Sequence, residues 1–244
     1  MTSIPWLYCP TLADEGDQVV LSPAESQHLV GSHRRRVGDS LILFDGNGLV
    51  TQARVQALDR RPVSGIVKII AREKFVAPVR SVHLASALPK GERQGLLLDF
   101  ATQFGMTDFI PLDCKRSIAR ASTGGYRRWQ RTLVESCKQS HRPWLPKLHP
   151  ACRPLELLSR WQLPDKIVLL ADSQGKLPGE LDEKISTIGN LLLMVGPEGG
   201  FSSDERNGLL ELGVHPVCLA DTNLRIEAAA IALVAAVWCW QIAG

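Results

Sequence analysis

The sequence predicts an α/β chain in two parts: a small β-barrel over residues 1–74, then a larger domain over residues 79–244 built on a mostly parallel sheet. Three observations carry that expectation. Up to residue 74, short runs rich in Val, Ile and Leu recur with turn residues between them. From residue 79, apolar runs alternate with stretches of helical period, and several of the later runs end in polar or glycine-rich turns that open a helix. A chain of 244 residues has room to bury two such cores.

In the first part the expected strands are 18–21, 41–44, 49–57 and 63–71, punctuated by Asp45-Gly46-Asn47-Gly48 and Arg61-Pro62. Ser22-Pro23-Ala24-Glu25 starts a short helix among them, with Ser22 as cap, Pro23 in the first turn and Glu25 completing a capping box. The expected linker is 73–78. In the second part the expected strands are 81–88, 109–112, 166–171, 191–195 and 216–219, with helices near 91–104, 126–140, 154–161, 203–212 and 225–241. Ligands of parallel sheets gather at the carboxyl ends of strands, which singles out the turns after Leu170, Val195 and Leu219.

Composition excludes several classes. With 45% hydrophobic and 22% charged residues the chain is neither disordered nor fibrous, and no repeat or low-complexity segment is present. The six cysteines are scattered without a C-x-x-C pair, so free thiols in a reducing cytoplasm are expected rather than zinc or disulfides. The six histidines show no ligand spacing, and no metal is expected. The first ten residues do not read as a secretory signal, and the longest apolar run, 228–240, is too short to span a membrane.

Charge is unevenly placed. The net charge is only +3, yet nine basic residues (Lys115, Arg116, Arg120, Arg127, Arg128, Arg131, Lys138, Arg142 and Lys147) stand against the single acid Glu135. A second focus is His33-Arg34-Arg35-Arg36. Basic residues beside Tyr126, Trp129 and Trp144 suit a phosphate backbone with stackable bases; a solvated basic face is the plainer alternative.

Two strand-to-helix junctions could carry chemistry. After 191–195 comes Gly196-Pro197-Glu198-Gly199-Gly200-Phe201, then a helix opened by Ser202 and Glu205 in capping-box spacing. Glycines admit close approach of a ligand to backbone, but the loop lacks the Walker Gly-Lys-Ser/Thr and the dinucleotide G-x-G-x-x-G. A simple tight connection is the alternative. The second junction, Leu219-Ala220-Asp221-Thr222-Asn223-Leu224-Arg225-Ile226-Glu227, puts Arg225 at a helix N-terminus, where it opposes the macrodipole unless an anion explains it. The Ala- and Val-rich helix that follows, with Trp238 and Trp240, reads as core or a subunit interface.

These residues resemble the RsmE family, which methylates N3 of a uridine in 16S ribosomal RNA. The resemblance is carried by His28-Leu29 with Arg34 and Gly38-Asp39; Leu43-Phe44-Asp45-Gly46; Lys90-Gly91-Glu92-Arg93; and Gly105 with Ile110-Pro111. It continues through Arg116, Arg128-Trp129, Gln139 with Arg142 and Pro146, the whole 196–200 loop, and Leu224-Arg225 with Glu227 and Ala229. It implies a PUA-like RNA-binding barrel followed by a SPOUT methyltransferase domain with a trefoil knot. It also implies a homodimer, ribosomal RNA or the small ribosomal subunit as partner, and bent S-adenosylmethionine as cofactor. By position, the cofactor pocket would involve Leu170, Ala171, Val195, Gly196, Pro197, Glu198, Gly199, Gly200, Leu219, Ala220, Asn223, Leu224 and Arg225. Arg225 would stabilise the developing uracil anion, with Glu198 orienting it or the pocket. Arg34, Arg35, Arg36, Arg116, Arg127, Arg128 and Arg142 would meet RNA.

The chain departs from the family pattern at Trp6, Phe100, Gln103, Lys138, Ala220, Thr222, Ile226 and Ala228. Thr222 replaces an arginine, and Ile226 and Ala228 replace threonines. These losses keep open a second reading, a non-catalytic RNA-binding paralogue of the same fold. A nucleotide hydrolase is a third reading, disfavoured by the missing Walker lysine.

Overall fold

The structure is a computed structural model and describes residues 4–31, 35–161, 165–177 and 189–242. The chain divides into two compact units, Met1–Ala77 with Cys137–Leu145, and Pro78–Ser136 with Pro146–Gly244.

The first unit contains β1 (Trp6–Tyr8), β2 (Gln18–Val20), α1 (Pro23–Val30), β3 (Ser40–Phe44), β4 (Leu49–Arg60) and β5 (Val63–Lys74). Its sheet has the order β1-β3-β4-β5-β2, with β1 parallel to β3 and the other pairs antiparallel, an arrangement that fits a small barrel. Alternation decides the faces: Ala53, Val55, Val67 and Ile69 point into the core with Leu7, Leu12, Val19, Leu41 and Leu43, while Gln52, Arg54 and Lys68 stay in water. The three-residue β1 was not anticipated. It is too short to show a period, and its bonds, such as Cys9 N–H to the Phe44 carbonyl at 2.9 Å, come from a distant partner. β5 also runs on through Glu73 and Lys74, the first two residues of the expected linker.

Cys137–Leu145 packs with this unit. Cys137 is fully buried beside Phe44 and Val50, and His141 stacks on Trp6 at 5.1 Å. Lys138 Nζ lies 3.1 Å from both carboxylate oxygens of Glu25 and donates to His28 Nδ1 at 2.9 Å. The capping box expected at α1 is therefore only half made. Ser22 Oγ accepts from the Glu25 N–H at 3.2 Å, but the Glu25 carboxylate turns to the buried ammonium, which needs a counter-charge more than the helix end needs a second cap. Lys138 is thereby removed from the basic stretch expected to face a polyanion.

The second unit contains β6 (Ser81–Ser86), α2 (Arg93–Gln103), β7 (Asp108–Pro111), α3 (Thr123–Ser140, its last turn in the first unit), β8 (Lys147–Leu148), α4 (Pro154–Arg160), β9 (Lys166–Lys176), β10 (Asn190–Val195), α5 (Ser203–Glu211), β11 (His215–Val217) and α6 (Ile226–Ile242). The sheet order is β11-β9-β10-β6-β7-β8 and every pair is parallel. Covered on both faces, its central strands are continuous apolar runs, and Leu191, Leu192, Leu193, Met194 and Val195 are all buried. The two-residue β8 escaped the sequence reading for the same reason as β1.

Helix α3 buries Trp129, Leu133 and Ser136 and turns Arg127, Arg128 and Arg131 to water, the stripe expected of an amphipathic helix. This corrects one expectation. Trp129 is 2% exposed, meets Phe109 edge-on, and its indole N–H donates to Gln94 Oε1 at 3.1 Å, so it offers no face to a base. Tyr126 and Trp144 are half-buried, and the Tyr126 hydroxyl donates to the His149 carbonyl at 3.1 Å. Near the amino ends of β6 and β7, the buried carboxylate of Asp108 lies 2.7 Å from His149 Nε2 and 3.1 Å from His83 Nδ1. Burial pushes that carboxyl up, but the bonds from His149 and His83 outweigh it and hold it well below the usual range.

Candidate functional site

Three segments at the carboxyl end of the sheet meet around one cavity of about 390 Å³. The first is not a loop after Leu170, as expected, but a bulge within β9. Against β11, pairing jumps from Leu170↔Pro216 to Lys176↔Val217, which throws residues 171–175 out of the ladder. Asp172 shapes the bulge by accepting the Gln174 N–H at 2.9 Å. Ala171, Asp172, Ser173 and Gln174 line the cavity, whereas Leu170 is 1% exposed, stays in the core and does not.

The second segment is the glycine-rich turn after β10. Gly200 takes φ +67°, a left-handed conformation suited to glycine, and its N–H closes the turn on the Pro197 carbonyl at 2.8 Å. Gly196 is required for a different reason: a Cβ there would stand 2.8 Å from two ring carbons of Phe201. Gly196, Pro197, Glu198, Gly200 and Phe201 line the cavity beside Val195, and Gly199 faces away. Helix α5 then begins with the capping box foreseen from the sequence, Ser202 Oγ accepting from Glu205 N–H and Glu205 Oε2 accepting from Ser202 N–H at 2.8 Å. Burial raises the Glu205 carboxyl, but bonds from the Ser202 and Lys115 N–H groups and the Ser202 hydroxyl bring it below its ordinary value.

The third segment follows β11. Leu219, Ala220, Thr222, Asn223 and Leu224 line the cavity, with Ile226 and Ala229 from α6. Arg225 is exposed, does not line the cavity, and uses its carbonyl to accept the Ala229 N–H at 2.9 Å at the start of α6. Two positions on, Glu227 is 6% exposed and its Oε1 lies 3.4 Å from Arg93 Nη1, so the 90–93 and 224–229 motifs meet in space.

The walls are apolar at Val195, Val217, Leu219, Leu224 and Ile226 and polar at Asp172, Glu198, Arg206, Thr222 and Asn223. Sequence reasoning missed Asp172 and Arg206, which form an ion pair within this wall, Arg206 Nε to Asp172 Oδ2 at 2.7 Å. Each carried a weak signal. Asp172 is the first charge after an apolar strand, and Arg206 lies one turn beyond the Ser202 cap.

The basic residues expected to meet RNA are dispersed in their roles. Arg36, Arg127 and Arg128 are exposed, Arg35 and Arg142 are half-buried, and Arg34 lies outside the described residues. Burial pulls the Arg142 guanidinium below its ordinary value. Arg116 is exposed yet engaged: its Nη1 donates to the Gly199 carbonyl at 2.7 Å and reaches that of Phe201 at 3.4 Å. Among the departures, Trp6 is structural, Thr222 is in the cavity wall, and Phe100 is 39% exposed on α2.

Residues 76–238 match the family described as RNA methyltransferase domain. The ribosomal RNA small subunit methyltransferase E of Mycobacterium tuberculosis is 32% identical over 93% of this chain and 88% of its own length. That of Bacillus subtilis is 27% identical over 93% and 90%. The crystal structure of ribosomal RNA small subunit methyltransferase E from Neisseria gonorrhoeae bound to S-adenosyl methionine superposes with a TM-score of 0.84, covers 96% of both chains and is 26% identical. A match of this extent, in sequence and in both units of the fold, places the chain in the ribosomal RNA small subunit methyltransferase E family.

Proposed function

We propose that the protein is an S-adenosylmethionine-dependent methyltransferase of ribosomal RNA, acting on N3 of a uridine in the 16S molecule in the cytoplasm. The observation that carries this reading is the convergence of the 171–174 bulge, the 196–201 turn and the 219–224 segment on one cavity. Its volume lies within the range of small-molecule sites, about 300–1,000 Å³, and its mixed walls suit a nucleoside with a charged tail. Apolar Val195, Leu219 and Leu224 would enclose the adenine, backbone groups of 196–200 would read its edge, and Glu198, Asp172 and Arg206 would meet the charged parts. S-adenosylmethionine supplies an electrophilic methyl group when bound.

The chain's own task is then alignment and charge control. Glu198 orients the pocket from the cavity wall, and Arg225, exposed at the mouth of α6, stabilises negative charge developing on the uracil. Exposed Arg36, Arg127 and Arg128, with Arg34, Arg35 and Arg142, are assigned to RNA, mostly as phosphate contacts that position rather than specify, whereas Arg116, which the family pattern also points toward RNA, is held by the carbonyls of Gly199 and Phe201. The N-terminal sheet serves as a PUA-like RNA-binding barrel, and the C-terminal strands and α6 form a trefoil knot. Leu96, Phe100, Phe104 and Trp238, all between 37% and 49% exposed on or beside α2 and α6, support a homodimer formed through that face.

Titration of S-adenosylmethionine into the protein should give saturable heat, whereas a non-catalytic paralogue with a decayed pocket gives none. Mass mapping of 16S ribosomal RNA from cells with and without the gene should show one methyluridine lost; an unchanged map rejects the substrate. Gly196→Ala should weaken cofactor binding by about tenfold or more, because the new methyl drives the Phe201 ring into the cavity. Unaltered affinity in calorimetry would show that the ring moves elsewhere.

A further inference from the structure

We propose that Arg116 is a positioning residue for the cofactor turn, holding its outer side so that its inner side is preformed for S-adenosylmethionine. This rests on the reading of the cavity as the cofactor site. A tight turn of glycines is conformationally costly to order, so a turn that must present backbone to a ligand gains from an external brace. The brace comes from the segment between β7 and α3. Arg116 Nη1 donates to the Gly199 carbonyl at 2.7 Å and reaches the Phe201 carbonyl at 3.4 Å, the two peptide oxygens flanking Gly200.

The neighbouring contacts point the same way. A Cβ on Gly199 would stand 3.5 Å from Arg116 Cδ, so the arginine stem lies along the face of the turn opposite the cavity. The Lys115 N–H donates to Glu205 Oε1 at 2.8 Å, while Glu205 Oε2 accepts from Ser202 N–H at 2.8 Å and Ser202 Oγ at 2.9 Å. Glu205 thus joins the α5 cap to the same bracing segment. The exposed Lys115–Asp204 pair at 3.3 Å adds little. An arginine committed to two carbonyls holds its charge beside the turn, and replacing it removes a brace as well as a charge.

The test separates the brace from a phosphate contact. Arg116→Ala should weaken S-adenosylmethionine binding by about tenfold in calorimetry and speed amide exchange at Gly199–Phe201, with RNA affinity and its salt slope unchanged. Arg116→Lys, which can reach one carbonyl but not both, should lose about threefold. Should the alanine variant fold poorly, the lysine variant carries the same comparison. An Arg116→Ala protein that binds cofactor within about twofold of the parent, or one whose RNA salt slope falls by about one with cofactor binding intact, overturns the proposal. A parent chain that takes up no S-adenosylmethionine overturns the cofactor reading itself; a parent that binds while Arg116→Ala binds equally overturns only the brace.

Discussion

Lys138→Met is expected to lower stability by about 3–5 kcal/mol, the largest single loss outside the apolar cores. Lys138 is 8% exposed and Glu25 6%, and the ammonium meets both carboxylate oxygens at 3.1 Å. Removing the cation leaves a buried carboxylate without its ammonium, with His28 Nδ1 standing off at 4.0 Å. The pairing also joins α1 to Cys137–Leu145, so its loss loosens the packing of Cys137 against Phe44 and Val50. Urea unfolding measures the effect. The double variant Glu25→Leu, Lys138→Met should recover most of the loss, since a buried pair replaced by apolar groups is often neutral or stabilising. A single variant costing under about 1 kcal/mol would mean that the pair behaves as a solvated surface contact.

Arg225→Ala is expected to reduce the methyl-transfer rate by about 100- to 1,000-fold while circular dichroism and melting temperature stay unchanged. The side chain is exposed and is not needed for packing; at a helix N-terminus it opposes the macrodipole, so its removal does not weaken the fold. A residue kept at a position unfavourable to its own helix should act on something outside it. Arg225→Lys should recover part of the rate, because it restores the charge without the planar fork. Single-turnover kinetics with cofactor saturating reads the effect, and a rate within about threefold of the parent rejects the role.

The strands and helices with long, regular patterns were legible in the sequence. The runs at 191–195 and 49–57, the amphipathic α3 and the Ser202–Glu205 cap all signal their state locally. The short strands β1 and β8 do not, because two or three residues have no period and depend on a partner far along the chain. The same divide runs through the site. The turns after Val195 and Leu219 stand out because strand ends followed by turns concentrate ligand contacts, and of the pocket residues that the family pattern implies, all except Leu170, Gly199 and Arg225 line the cavity. Of the neighbouring pair Leu170 and Ala171, only Ala171 reaches the cavity, since the bulge that begins there arises from pairing with β11.

Charge was legible as a total but not as a set of roles. Nine basic residues between 115 and 147 suggested one polyanion-facing region, yet Lys138 neutralises a buried glutamate and Arg116 grips the back of a glycine turn. By itself the sequence determined the α/β class, the glycine turn and the family pattern, because these are written in local spacing and residue type, but not that 137–145 packs with the first unit. Only the tertiary structure decided which charges are spent inside the protein, that Asp172 and Arg206 meet in the cavity wall, and that Trp129 is core. Burial and partners for these groups come from residues tens of positions away, and distance in space is the quantity that local spacing does not contain.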